Sequence, residues 1–160
     1  SPESVAACLS LNAEDIRTAV HMPVVASVGL PFLIAELASR EALRRCVPNL
    51  QGFRATLPLD GAVSLYAYTL DTNADEPHDV QARMFTPRMT EDPATGSATA
   101  AATALLALHR NKTTLNLNVS QGVDMGRASV LFAGYDASSG KAVVRVGGKC
   151  VITLEGAFSL

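Results

Sequence analysis

The residues best suited to chemistry sit together in the run Asp92-Pro93-Ala94-Thr95-Gly96-Ser97, directly ahead of a stretch rich in alanine and leucine. A carboxylate such as Asp92 can accept or donate a proton, or steady a charge that develops on a substrate. Thr95 and Ser97 add hydroxyls, and Gly96 lets a ligand come close to the backbone. If the following stretch is helical, its start carries unpaired backbone N–H groups and a partial positive charge, which suits a ligand carboxylate. A plainer role is equally concrete: Asp92 or Thr95 caps the helix. Both readings stand on these residues. A serine hydrolase does not, because Gly96-Ser97-Ala98 lacks the glycine that follows the serine of a nucleophile elbow.

The element that must position this group is the stretch itself. Residues 98–108 consist of alanine, leucine and threonine, ending in His109 and Arg110. Alanine and leucine are the strongest helix formers. A surface helix shows an apolar stripe and a charged face, but no charge occurs between Ser97 and His109. Such a helix has to be enclosed on nearly all sides, and its small side chains let neighbours approach the axis. A helix of about 15 residues at 1.5 Å each is about 22 Å long, which matches the core of one small domain. His109 and Arg110 suit the carboxyl end of the dipole, and His109 reads as a surface cap.

The rest of the chain reads chiefly as strands. Asn12, Glu14 and Asp15 suggest a helix start over 12–22, ended by Pro23. Residues 24–28 and 30–37 form two β-type runs broken at Gly29, and Ser39 caps a short helix over 39–45. A strand apolar on both faces covers 61–70, followed by an acidic loop over 71–79. The strand 81–86 places Ala82, Met84 and Thr86 on one face and Arg83 and Phe85 on the other. Strands at 113–119 and 128–135 follow. Two more, at 143–146 and 150–154, look joined as a hairpin across Gly147-Gly148. About seven strands and two or three helices result, and the economical arrangement is an α+β fold with a curved, barrel-like antiparallel or mixed sheet around one central buried helix.

Composition narrows the function classes. The 160 residues suffice for a single domain, with 48% apolar and 18% charged residues and a net charge of −2. A chain of this charge is not expected to bind nucleic acid. No apolar run approaches the roughly 18 residues needed to cross a bilayer, so no membrane partner is expected, and the setting reads as cytoplasmic. Cys8, Cys46 and Cys150 are few, far apart and without CxxC spacing, which argues for reduced thiols rather than disulfides or a zinc site. No ligand-spaced cluster points to a metal.

Glu91-Asp92-Pro93-Ala94-Thr95-Gly96-Ser97-Ala98 resembles the EDPATGSA signature of the PhzF-like, phenazine-biosynthesis-type family of isomerases and epimerases. Gly29-Leu30-Pro31-Phe32-Leu33, Met84-Phe85-Thr86-Pro87, Gln121-Gly122-Val123-Asp124-Met125-Gly126-Arg127 and Val151-Ile152-Thr153-Leu154-Glu155-Gly156 extend the likeness over nearly the whole chain. The resemblance implies the diaminopimelate-epimerase fold, with two similar halves and the active site in the cleft between them. Residues 1–160 would then be one domain, equivalent to the carboxy-terminal half.

It further implies proton transfer on a small carboxylate-bearing substrate in a biosynthetic pathway, without metal or organic cofactor. Asp92 would be the catalytic group, facing a glutamate of the absent half, and Thr95, Gly96 and Ser97 would bind the substrate carboxylate. The partners implied are that substrate, the missing amino-terminal domain or a second subunit, and a homodimer is compatible. The isolated chain is expected to be inactive. The alternative is a non-catalytic binding protein that keeps the fold. Two departures stand out: only Arg88-Met89-Thr90 separates Pro87 from Glu91, and Ala128 follows Gly126-Arg127 where a proline is usual. Gln121-Gly122 reads as a turn near the rim, and Arg127 as an ion-pair partner rather than a substrate contact.

Overall fold

A strand that is apolar on both faces needs a core on each side, and two central strands are of this kind. The computed structural model describes residues 1–72 and 77–158. In it, β3 (Pro31–Leu37) and β4 (Leu65–Thr69) run parallel as interior neighbours in a mixed nine-stranded sheet. Leu33, Ala35, Leu37, Leu65 and Ala67 face one core, shared with α1 (Pro2–Leu9), α2 (Arg40–Arg45) and α3 (Leu50–Thr56). Phe32, Ile34, Tyr66 and Tyr68 face the other, built around α4 (Gly96–His109). The period of two along each strand sends alternate residues to opposite cores.

The strands β1 (Ile16–Arg17) and β2 (Val24–Ser27) share one edge of β3, both antiparallel to it. β4 pairs on its other side with β5 (Val80–Phe85), whose far edge takes both β6 (Glu91–Asp92) and β7 (Thr114–Gln121). β8 (Ser129–Asp136) and β9 (Val143–Gly148) complete the series as antiparallel neighbours. α4 packs against β2 and β3 near one end of this series and against β7, β8 and β9 near the other. A sheet whose distant strands touch the same helix must curl around it. It does not close, since β9 pairs only with β8 among the described residues.

Ala98, Thr99, Ala101, Thr103, Leu106 and Ala107 of α4 are buried, as the absence of charge requires, while Leu108 and His109 emerge at its end. Thr103 returns its hydroxyl to the Thr99 carbonyl at 2.8 Å, and the Thr99 hydroxyl meets that of Tyr66 at 3.1 Å. Both buried threonines are thereby satisfied. At the same end as His109, His21 accepts or donates through Nε2 to the Tyr68 hydroxyl at 2.8 Å, and its ring lies 5.6 Å from that of His109. Glu36, cross-strand to both Arg17 and Tyr68, is 1% exposed, with neither carboxylate oxygen hydrogen-bonded among the described residues.

Several expected elements differ. The helix expected at 12–22 is a single 3-10 turn, Ala13–Asp15, because Asn12 and Asp15 close a capping box and Ile16-Arg17 then pairs with β3. α1 precedes it, with Ser1 as cap and Pro2 in the first turn. α3 starts at the cap Asn49, and β6 is an added strand. The hairpin across Gly147-Gly148 is replaced by one strand: both glycines lie within β9, opposite Phe132 and Leu131, and neither has a positive φ. Residues 150–154 form no strand, and Val151, Ile152 and Leu154 are 84–90% exposed. Part of the expected acidic loop, 73–76, lies outside the described residues, as do 159–160. No helix is long and apolar enough to cross a membrane among the described residues.

Candidate active site

β6 and β7 approach each other head-on along the same edge of β5. Asp92 pairs with Met84 and Gln121 with Ala82, so the ends of the two strands flank Arg83. The short connection from Pro87 to Glu91 makes this possible. It closes as a tight turn, with Met89 at φ 59 and the Thr86 and Thr90 hydroxyls 2.7 Å apart, and brings Glu91 back opposite Phe85. Beyond Asp92 the chain bends through Pro93 into α4. Beyond Gln121 it bends at Gly122, where φ is +78 and a methyl group on Cα would stand 2.9 Å from the Pro93 carbonyl oxygen. No larger residue fits there without a shift of the backbone.

The signature is anchored by Arg83. This residue is buried and holds Glu91 through two bonds, Nε to Oε1 at 2.9 Å and Nη2 to Oε2 at 2.8 Å. Its Nη1 donates to the carbonyls of Leu43 and Cys46, both at 3.0 Å, at the end of α2 where cations are favoured. Asp124, 3.9 Å from Arg83, is bound in turn by both terminal nitrogens of Arg40, at 2.7 and 3.0 Å. The loop after β7 and the strand before α4 are thus tied to the same helix.

Asp92 is half-buried, and its Oδ2 accepts the Thr95 hydroxyl at 2.7 Å. Thr95 occupies the cap position of α4 yet makes no side-chain cap. The first backbone bond into the helix is Thr99 N–H to the Thr95 carbonyl at 3.0 Å. Among the described residues the N–H groups of Gly96, Ser97 and Ala98 have no acceptor, and neither does the Ser97 hydroxyl. The plain capping role weighed from sequence is therefore not the one these side chains take. What the arrangement offers is a carboxylate beside a positive helix end, with Gly96 and Ser97 only partly covered.

Gln121 is fully buried and joins the pieces: its Nε2 lies 2.7 Å from the Asp92 carbonyl and 2.9 Å from the Thr95 hydroxyl, while its Oε1 accepts the Thr95 N–H at 3.2 Å. Ser129 adds a bond of 2.7 Å to the Pro93 carbonyl. Sequence reasoning placed Gln121 in a rim turn. The missed signal was the strand period: Leu117, Val119 and Gln121 share the buried face of β7, so a polar side chain sits where the core is expected. Arg83 gave the same signal, sharing a face with Phe85.

A concavity of about 810 Å³ begins at Ala94 and runs over Ser129, Leu131, Phe132, Val146 and Lys149. Asp92 and Ser97 do not line it, and both are partly exposed. Arg127 forms no ion pair among the described residues. Burial pushes the Cys46 thiol up to about 12, so it is no nucleophile near neutral pH. No group of three or more His, Cys, Asp or Glu side chains is placed to hold a metal ion among the described residues.

The comparisons with known proteins agree with this architecture. A family model described as phenazine biosynthesis-like protein, PhzC-PhzF, matches residues 1–156. An uncharacterized isomerase of Mesorhizobium japonicum is 31% identical over 164 residues, covering 97% of this chain and 54% of the relative. Among solved structures, a phenazine biosynthesis protein of the PhzF family from Bacillus anthracis superposes with a TM-score of 0.79 at 24% identity, covering 92% of this chain and 52% of that one. A predicted epimerase of Pseudomonas aeruginosa gives 0.66 at 28% identity, covering 92% and 49%. The chain spans about half the length of each of these proteins.

Proposed function

Because the chain belongs to the phenazine biosynthesis-like PhzC-PhzF family, we propose that it forms one half of a cofactor-independent isomerase or epimerase acting by proton transfer on a small carboxylate-bearing substrate. The observation that carries this reading is the turned Thr95 hydroxyl, which leaves the first amides of α4 unpaired directly beside Asp92. A substrate carboxylate would accept from the amides of Gly96 and Ser97 and from the Ser97 hydroxyl, gaining charge-assisted bonds and the favourable end of the helix dipole. That anchorage presents the carbon next to the carboxylate to Asp92, which gives or takes a proton there.

An open, half-exposed face is a poor place for such a transfer, because water competes for both the proton and the ionic contacts. The length of the relatives not spanned here would close the face, exclude water and supply the opposing acid, as a carboxy-terminal half requires. The family is one of isomerases and epimerases by the names of its members, and the reaction follows that chemistry. In the test, the full-length protein is incubated in deuterated water with a panel of small amino and hydroxy acids, and deuterium uptake at carbon is read by mass spectrometry. Uptake into at least one acid, abolished in Asp92→Asn, is expected. Uptake unchanged in that variant removes Asp92 from the mechanism. Binding of acids without uptake identifies a non-catalytic binding protein instead.

A further inference from the structure

We propose that Gln121 is the positioning residue that decides which oxygen of Asp92 exchanges protons, acting through the Thr95 hydroxyl. The inference deepens the reading of Asp92 as the proton-transfer group and rests on it. It begins with the orientation of the Gln121 amide, which its backbone neighbours fix. The Asp92 carbonyl can only accept, so the atom 2.7 Å from it must be the NH₂. The Thr95 backbone N–H can only donate, so the atom 3.2 Å from it must be the oxygen. Exchanging the two would oppose donor to donor and acceptor to acceptor.

The second proton of that NH₂ points at the Thr95 hydroxyl oxygen, 2.9 Å away. An oxygen that receives a proton from Gln121 has its own single proton to place elsewhere, and Asp92 Oδ2 stands 2.7 Å off. The Thr95 hydroxyl therefore donates to Oδ2. Chained bonds of this kind polarise one another, so the donation strengthens through Gln121. Oδ2 is held in place with a lone pair engaged, and Oδ1, which takes no hydrogen bond among the described residues, is left to face a substrate. The relay also explains why Thr95 abandons the cap: its hydroxyl is committed to the carboxylate, and the amides it would have capped stay free for an acid group.

Two kinds of measurement test this. In the 160-residue chain, Thr95 is buried and its hydroxyl proton, bonded to Asp92 at 2.7 Å, is expected as a resolved NMR resonance with an Overhauser contact to the Asp92 Hβ protons. Gln121→Met should abolish that contact while the backbone amide spectrum stays folded. In the full-length protein, with whichever acid of the panel exchanges, Thr95→Val and Gln121→Met should each lower kcat about 10- to 100-fold with KM little changed, the scale of one charge-assisted bond.

Thr95→Ser keeps the hydroxyl and should recover most of the rate lost in Thr95→Val. The Thr95→Val/Gln121→Met double variant should be no slower than the worse single variant, because both break one relay. Additive losses, or single variants at the wild-type rate while Asp92→Asn is inactive, overturn the relay and leave the function standing. If no acid exchanges in any form, the function fails, and the NMR contact still decides the relay by its persistence or loss in Gln121→Met. Should Gln121→Met not fold, Thr95→Val carries the kinetic arm and Thr95→Ser its control.

Discussion

Replacing Arg83 by methionine should cost about 4 kcal/mol, and most of that cost should disappear when Glu91 is replaced as well. Arg83 supplies both close donors of the Glu91 carboxylate, at 2.9 and 2.8 Å, and the two side chains are only 10% and 11% exposed. Breaking a buried pair by removing one partner costs about 3–5 kcal/mol, because the remaining charge is left without compensation. The carbonyls of Leu43 and Cys46 lose a donor too. Both residues are buried, but the Leu43 carbonyl keeps the Cys46 N–H at 3.3 Å, so this loss adds about 1 kcal/mol. A methionine fills much of the space of the arginine stem against Phe85, over which the guanidinium lies at 4.9 Å, so a cavity term is small.

Arg83→Met/Glu91→Met has no orphaned charge, and apolar replacement of a buried pair is close to neutral, so it should cost only about 1–2 kcal/mol. The assay is urea unfolding near neutral pH followed by circular dichroism on wild type, both single variants and the double variant, with a common slope required for comparison. The coupling energy from the cycle should be about 2 kcal/mol or more. A loss below about 1 kcal/mol in Arg83→Met, or a double variant as costly as the two singles together, would refute the claim that this pair anchors the strand carrying Asp92. For a domain of ordinary stability, about 5–15 kcal/mol in total, the single variant is a large perturbation.

Burial holds the Glu36 carboxyl above the usual carboxylate range, with Arg17 and Arg110 pulling the other way. The fold thus prefers the protonated acid, whose contribution is complete below the unfolded carboxylate range and is lost as pH rises through the folded value. Glu36→Gln cannot ionise, so its melting temperature relative to wild type should climb from acid to neutral pH; a flat difference across that range argues against the assignment. Gly122→Ala should lose about 2 kcal/mol or more by urea unfolding, since φ is +78 and the new methyl meets the Arg127 and Pro93 carbonyls. A cost under about 0.5 kcal/mol would mean the loop after β7 does not need its close approach to the signature.

The sequence was enough to identify α4, because an alanine-leucine run without charge is both strongly helical and unable to face water. It was enough to locate Asp92, Thr95, Gly96 and Ser97 at the start of that helix, and to place most strands, because period-two alternation is a local property. It also identified the family through the run from Glu91 to Ala98. Elements that depend on a partner were misread. Residues 12–22 have tolerable helix signals, but Ile16 and Arg17 are claimed by β3, and the glycines at 147 and 148 follow β8 rather than turning.

The connections inside the site were decided by tertiary structure alone. Gln121 meets Asp92 only because β6 and β7 take the same edge of β5 from opposite directions, in a register set by which faces the two cores bury. Whether Thr95 caps its helix or turns to Asp92 likewise depends on Gln121, 26 residues further along the chain. A hydroxyl can serve several acceptors at similar cost, so its choice is made by whichever neighbour the long-range packing puts within about 3 Å of it, and local sequence carries no record of that neighbour.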